Sequence, residues 1–199
     1  MTNCPAPEEI YDAIRKKYAV VSAAVEGVFK YPTGRKGAEF LGYDLSEVNG
    51  LPDTITGSFC GVGNPFKLGE IKYGETLLDI GSGAGFDLVM AGNLVGPEGH
   101  VFGVDITPEM VEKARLNITG AGLRNAEVKL AVSELIPFDD NYFDVIISNG
   151  VLNLSPLKEK TFQEIFRVLK PGGRFQFADI VLKEGSPQKE TCSINDWTG

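Results

Sequence analysis

The sequence is poor in cysteine and histidine and has no long apolar run. Its 199 residues include three cysteines and one histidine. Cys4, Cys60 and Cys192 are odd in number and far apart, which does not suit a disulfide framework. No apolar stretch approaches the length that crosses a bilayer, and residues 1–9 lack the apolar core of a signal peptide. The sequence therefore predicts a cytoplasmic protein without a membrane partner.

The sequence also has fewer basic than acidic residues. Lys and Arg number 19 against 27 Asp and Glu, which gives a formal net charge of −8 and a pI near 4.8. Nucleic-acid binding depends on Lys and Arg side chains that displace counterions from phosphates. The charge balance therefore argues against a nucleic-acid partner and favours a small-molecule substrate. Hydrophobic residues at 43% and charged residues at 23% are ordinary for one globular domain.

Short apolar runs alternate with amphipathic segments from residue 76 onward. The pattern predicts strands over residues 76–80, 100–105, 126–130, 143–148 and 174–182. It predicts helices over residues 85–94, from 107 onward and over 157–170, the last burying Phe162, Ile165, Phe166 and Leu169. Strands that alternate with helices across short turns pair in parallel with right-handed crossovers. The sequence predicts an α/β fold with a Rossmann-like, doubly wound, mostly parallel sheet.

The first 65 residues have a different pattern of apolar residues. Apolar residues recur at near-helical spacing over residues 8–29, which predicts one helix. Residues 30–65 contain Gly, Pro and aromatic residues without a regular period, and long segments of this kind are usually functional or disordered. Their apolar content favours order. We interpret residues 1–65 as a helix and cap over the active site, and residues 66–199 as the ligand-binding domain of the same structural unit.

A glycine-rich turn follows the first predicted strand, at Gly81, Gly83 and Gly85. Glycine lets a ligand approach the backbone without meeting a Cβ, although a tight strand-to-helix turn alone would also explain it. The last glycine position of a dinucleotide-binding motif is Phe86 here, and Asp79 precedes the first glycine by two residues. Both details favour a ligand that carries an ammonium group over one that carries a pyrophosphate. They argue against a nicotinamide-dependent enzyme.

Asp105 ends the second predicted strand, twenty residues after Gly85. An acid at this place can accept hydrogen bonds from both hydroxyls of a ribose. The same acid could instead cap the helix that begins after Thr107, where Pro108 occupies the first helical position. The glycine turn at the right distance favours the ribose interpretation.

The sequence resembles the class I S-adenosylmethionine-dependent methyltransferases across almost its whole length, and five motifs carry the resemblance. They are residues 78–85, 103–105, 134–138, 143–146 and 167–173. The resemblance implies an enzyme with S-adenosylmethionine as cofactor and a small-molecule methyl acceptor. The complete fold of that class has two more strands after the fifth, for which residues 183–199 are too few. We therefore expect a sheet without the last two strands, whose exposed edge could support homo-oligomerisation.

The same resemblance implies a cofactor site at the ends of the strands. The glycine turn would border the methionine moiety, and the end of the second strand would border the ribose and adenine. The usual acid at the adenine edge is absent because Val132 and Ser133 occupy those positions. The residues implied are Asp79, Gly81, Ser82, Gly83, Gly85, Asp105, Ile106, Met110, Val132, Ser133 and Asn149.

Residues 61–65, 103–110 and 148–156 resemble the arsenite methyltransferase family in particular. That family binds trivalent arsenic through cysteine thiolates, which are soft ligands for a soft centre. This sequence has Val62 and Gly150 at two of the family's cysteine positions. Cys192 matches a third, and Cys60 lies two residues from a lost one. Apart from these two arsenic candidates, no metal site is expected.

The expected activity is transfer of a methyl group from S-adenosylmethionine to a small acceptor. Such a reaction needs alignment and exclusion of water, and a base only where the acceptor must lose a proton of high pKa. No His or Cys stands in an obvious base position, which favours a soft or ionised acceptor such as a thiol or metalloid. Tyr31, Tyr43 and Glu134 stay open as bases. Two alternatives also stay open: an arsenite methyltransferase that uses Cys60 and Cys192, and a cofactor-binding module without turnover.

Overall fold

The computed structural model describes residues 4–181, 193, 194 and 197. These residues include five strands: β1 (Thr76–Ile80), β2 (His100–Asp105), β3 (Ala126–Leu130), β4 (Phe143–Asn149) and β5 (Leu169–Ala178). All neighbouring pairs are parallel, in the order β3-β2-β1-β4-β5. The predicted Rossmann-like sheet is confirmed, and the described residues hold no strand beyond β5.

Helices cover both faces of the sheet. Leu77 of β1 packs with α5 (Phe86–Val95) and α6 (Pro108–Gly120), whereas Leu78 packs with α7 (Lys158–Val168). Successive side chains of a strand point to opposite faces, so an unbroken apolar strand needs cover on both sides. The carboxyl ends of β1, β2 and β4 remain as the place where a ligand can reach the sheet.

The N-terminal segment is ordered and helical. It contains α1 (Pro7–Ala23), α2 (Gly34–Phe40), α3 (Leu45–Gly50), α4 (Asp53–Thr56) and a 3-10 helix (Pro65–Leu68). Helix α1 packs on α6 through Val21 and Met110, whereas residues 38–59 pack on α5, where the rings of Phe59 and Phe86 lie 4.7 Å apart. Residues 30–65 are ordered, as expected, but their irregular pattern did not predict the helices within them. In the described part of the chain, no helix is long and apolar enough to span a membrane.

The largest differences from the predicted element boundaries are in α1 and β5. Helix α1 ends at Ala23 rather than residue 29, because Ala24 is extended and Gly27 adopts a φ of 78°. Strand β5 begins at Leu169, which pairs with Phe143, and residues 170–173 then bulge from the ladder before pairing resumes. A Pro-Gly-Gly sequence suggests a loop, and here it forms an irregularity inside a strand. Strand β5 ends at residue 178, and the predicted end at residue 182 lies outside the described residues.

Helix α7 buries a different stripe from the predicted one. Thr161, Ile165 and Val168 are buried, whereas Phe162 is partly exposed and Phe166 is 83% exposed. The hydroxyl of Thr161 lies within hydrogen-bond distance of two serine hydroxyls below the helix. A buried polar network therefore sets the rotation of this helix, which apolar periodicity alone could not show.

Candidate functional site

A cavity lies at the carboxyl ends of β1, β2 and β4, beneath helix α1. Ligands bind at this position in open parallel sheets. Helix α1 contributes Tyr11, Ile14 and Tyr18 to the wall, and Cys60 joins them from the segment before the sheet. The sequence predicted a helix and cap over the site but did not single out Ile14 and Tyr18 as lining residues. Eight predicted site residues line the cavity: Gly81, Gly83, Asp105, Ile106, Met110, Val132, Ser133 and Asn149.

The other three predicted residues, Asp79, Ser82 and Gly85, are not among those that line the cavity. Gly85 caps α5 with a φ of 86°, and a Cβ on it would lie 3.2 Å from the Cβ of Ala114 in α6. Its lack of a side chain therefore lets two helices approach one another. The hydroxyl of Ser82 is buried without a hydrogen-bond partner among the described residues.

Both carboxylate oxygens of Asp105 accept backbone hydrogen bonds. Oδ2 accepts from the amide of Gly83 at 2.9 Å, and Oδ1 accepts from the amide of Thr107 at 2.8 Å. Asp105 thus fixes the glycine turn against β2 and also serves the start of α6, as the second interpretation of the sequence proposed. Burial raises the pKa of this carboxyl, and the hydrogen bonds oppose that effect. A carboxylate has about four acceptor sites, so two amides leave capacity for ribose hydroxyls.

Three acids surround the glycine turn: Asp79 and Asp87, which are buried, and Asp105, which is half-buried. Burial raises the pKa of Asp79 well above its usual range, and the charges of the other two raise it further. Burial also raises the pKa of Asp87 to about 6, against hydrogen bonds from Tyr43 and Asn149. None of the three takes part in a salt bridge within the described residues. A cationic ligand group would therefore stabilise all three carboxylates.

The carboxamide of Asn149 bonds to the protein rather than projecting free into the cavity. Its Oδ1 accepts from the amides of Val62 at 2.9 Å and Gly63 at 3.0 Å. Its Nδ2 faces the carbonyl of Gly63, Oδ2 of Asp87 and the hydroxyl of Tyr43 at 2.9 to 3.1 Å. A hydrogen bond from the Asn149 carboxamide to a cofactor would have to displace one of these partners.

Glu134 is buried and lines the cavity. Oε1 accepts from the Ser155 hydroxyl at 2.5 Å, and Oε2 accepts from the Ser133 hydroxyl at 3.1 Å. Burial raises the pKa of Tyr11, and a hydrogen bond and the charge of Glu134 raise it further. The sequence left open whether Glu134 bonds locally or faces the site. The structure shows both.

Val62 and Gly150, the positions of the missing cysteines, are in contact. A Cβ on Gly150 would lie 3.2 Å from Cγ1 of Val62 and 3.8 Å from its Cβ. Cys60 is a free thiol, and burial raises its pKa to about 12. Cys4 is disulfide-bonded, which the number and spacing of the cysteines did not predict. Cys192 lies outside the described residues.

The described residues hold no cluster of three or more His, Cys, Asp or Glu side chains suited to a metal ion. The parallel sheet, the glycine turn after β1 and the acid at the end of β2 define a protein of the Rossmann-like ligand-binding class. Residues 71–198 match the methyltransferase domain family, and the chain belongs to that family.

Two curated relatives show how widely the family's chemistry ranges. The chain is 37% identical to the arsenite methyltransferase of Halobacterium salinarum, over 97% of this chain and 53% of the relative. It is 38% identical to a ubiquinone/menaquinone biosynthesis C-methyltransferase of Yersinia pestis, over 62% of this chain and 48% of the relative. The chain therefore spans about half the length of the curated relatives it matches.

Two solved structures share the fold and about a third of the aligned residues. An arsenic(III) S-adenosylmethionine methyltransferase from Chlamydomonas reinhardtii superposes with a TM-score of 0.62 at 35% identity, over 67% of this chain and 47% of that one. A SAM-dependent methyltransferase from Aquifex aeolicus gives 0.56 at 32% identity, over 62% and 69%. Both similarities agree with the family assignment.

Proposed function

We propose that this chain binds S-adenosylmethionine in the cavity and transfers its methyl group to a small-molecule acceptor. One feature carries the proposal: Asp105 ties the glycine turn to the end of β2, and neither it nor the nearby Asp79 and Asp87 has a salt-bridge partner within the described residues. The cofactor carries a sulfonium and an ammonium group, whose positive charges would stabilise the carboxylates. The names of the two solved structures support the same cofactor.

The residues of the cavity fit each part of this cofactor. The methionine end would lie against Gly81 and Gly83, near the buried acids, and the ribose hydroxyls would meet the free acceptor capacity of Asp105. The adenine would lie along the apolar wall that includes Ile106 and Met110. The hydroxyl of Thr107 is buried without a hydrogen-bond partner in the described structure, although its residue lines the cavity.

When bound, the cofactor supplies a methyl group on a good leaving group. The protein must then align the acceptor and keep out water, which positional catalysis achieves. We propose that residues 1–65 act as a cap over the binding domain of residues 66–199. The presence of Tyr11 and Tyr18 of α1 and of Cys60 among the residues that line the cavity supports this proposal.

We propose a soft or already ionised acceptor, such as a thiol or a metalloid. No His is among the residues that line the cavity, and Glu134, the candidate base that does line it, already accepts hydrogen bonds from two serine hydroxyls. Arsenite as acceptor finds support in the relatives, but Val62 and Gly150 carry no thiolate. It would depend on Cys60 and Cys192.

The test is a mass-spectrometric screen for methylated products with thiols, arsenite and small phenols. We expect a methylated thiol or arsenical that depends on S-adenosylmethionine. Methylation confined to phenols would contradict the proposed acceptor class. Cofactor binding without any product would favour the alternative of a binding module or partner subunit without turnover.

We also propose self-association through the edge of β5. In the described structure β5 pairs only with β4, and Phe177, Ile180 and Val181 beside that edge are exposed. Unpaired strand groups next to apolar side chains invite pairing with another chain. Light scattering should show a concentration-dependent dimer, and a strict monomer would contradict it. A cytoplasmic location and the absence of a nucleic-acid partner stay predictions from the sequence.

A further inference from the structure

One side chain holds the turn of residues 61–64 against β4. Asn149 accepts hydrogen bonds from two consecutive amides of this turn, Val62 and Gly63, and its Nδ2 donates to the carbonyl of Gly63 at 2.9 Å. A Cβ on Gly61 would clash with the same carboxamide. The position of the turn relative to the sheet therefore depends on Asn149.

The orientation of that carboxamide is set by Asp87 in the first turn of α5. Nδ2 of Asn149 lies 3.0 Å from Oδ2 of Asp87, and the hydroxyl of Tyr43 donates to Oδ1 at 2.6 Å. An ionised carboxylate can only accept hydrogen bonds, so the amide nitrogen must face it. The amide oxygen then points at the turn. Tyr43 and Asp87 are both buried, which leaves this network little freedom.

The turn carries the residues beside the end of the cavity where an acceptor would enter. Cys60 directly precedes it and lines the cavity together with Gly150. Val62 within the turn lies against Gly150. The other side of Cys60 is held by the hydroxyl of Tyr31, which donates to the Cys60 carbonyl at 3.1 Å. A displaced turn would therefore move Cys60 and Val62 together.

We propose that Asn149 is a positioning residue: its carboxamide, oriented by Asp87, fixes the turn of residues 61–64 and hence the place of the Cys60 thiol at the acceptor end. This inference rests on the proposed function, because that function is what makes this end of the cavity the acceptor end. It gives Asn149 a role different from the direct cofactor contact that the resemblance implied.

Alkylation of Cys60 by iodoacetamide, followed by peptide mass spectrometry, tests this role without an acceptor. Asn149→Ala and Asn149→Asp should each raise the alkylation rate about tenfold or more, because each removes hydrogen bonds that hold the turn. Asn125→Ala is the matched control. Nδ2 of Asn125 also bridges two carbonyls, those of Gly92 and Gly96, but this residue is not part of the cavity wall. It should leave the rate unchanged.

The exchanged pair Asp87→Asn with Asn149→Asp provides the rescue. The carboxylate at position 149 can still accept from the turn, and the carboxamide at position 87 can donate to it. We expect slower alkylation of Cys60 in this double variant than in Asn149→Asp alone, a departure from additivity that a general loss of stability would not produce. Alkylation at the wild-type rate in Asn149→Asp, or additive effects in the double variant, would overturn the inference.

Calorimetry with S-adenosylmethionine on the same variants separates the two proposals. We expect Asn149→Ala to weaken S-adenosylmethionine binding less than Asp105→Ala does, since a positioning role removes no hydrogen bond to the cofactor. Weakened cofactor binding with unchanged alkylation would overturn the positioning role and favour direct contact. A wild-type protein that does not bind the cofactor would instead contradict the proposed function, and the alkylation results would still decide the role of Asn149.

Discussion

Val62 and Gly150 stand 88 positions apart in the chain, yet a Cβ on Gly150 would lie 3.8 Å from the Cβ of Val62. This separation is about the mean between the Cβ atoms of a disulfide. It also lets two thiolates reach one soft ion, the ligand type that such centres select. The two substitutions relative to the arsenite methyltransferase motifs therefore fall at one place, beside the cavity.

Restoring both thiols should restore soft-ion binding. We predict that Val62→Cys with Gly150→Cys binds arsenite at least about tenfold more tightly than the wild type under reducing conditions, measured by calorimetry. The left-handed φ of 76° at Gly150 will strain the new residue and lower the melting temperature. Val62→Cys alone is the control and should gain less. Equal arsenite affinity in the double variant and the wild type would contradict the interpretation.

Asp79 should destabilise the ligand-free protein as pH rises. Its pKa is higher in the folded chain than in the unfolded one, because burial and two neighbouring acids disfavour its charge. The folded state therefore holds this proton more tightly, and the stability it contributes is present at low pH and lost on ionisation. We predict that the free energy of unfolding of Asp79→Asn exceeds that of the wild type by a margin that grows between pH 5 and pH 8.

Urea titrations at several pH values measure that margin. Asp12→Asn is the control, because Asp12 is exposed on α1 and should give a small margin without this growth. The same Asp79→Asn change should weaken S-adenosylmethionine binding, since it removes negative charge near the cationic groups. A margin that is constant with pH would contradict the account of the three acids.

Dinucleotides should not bind, though for a different reason from the one that the sequence suggested. The side chain of Phe86 does not obstruct the cavity, because it packs against Phe59 at 4.7 Å and Tyr43 at 5.3 Å. The buried acids around the glycine turn instead repel a pyrophosphate. We predict that NAD leaves the melting temperature unchanged, whereas S-adenosylmethionine raises it. Stabilisation by NAD in this thermal-shift assay would contradict the electrostatic argument.

Local patterns in the sequence predicted most of the sheet. Strands β1, β2 and β3 match their predicted bounds, because β1 is a short apolar run and apolar residues alternate with Glu127 and Lys129 in β3. The start of β5 was missed because its Pro-Gly-Gly bulge looks like a loop. The buried face of α7 was missed because Thr161 joins a polar network whose other members lie elsewhere in the chain.

The candidate site was predictable where its residues are close in sequence. The glycine turn and Asp105 follow from the spacing of one strand-helix-strand unit. The partners of Asn149 come from residues 43, 62, 63 and 87, and no local pattern links these segments to β4. Tyr11 and Glu134, whose interaction raises the pKa of Tyr11, are also far apart in the sequence. Long-range hydrogen bonds of this kind need the folded structure.

Calorimetric titration of S-adenosylmethionine into the wild type and Asp105→Ala tests the central claim most directly. Asp105 supports the glycine turn and has acceptor capacity for the ribose, so its loss should weaken binding by about 1.5–3 kcal/mol, roughly 10- to 150-fold. Asp12→Ala is the control and should bind like the wild type. The account predicts measurable binding by the wild type and this loss in Asp105→Ala. Absence of binding by the wild type, or equal affinity in both proteins, would contradict it.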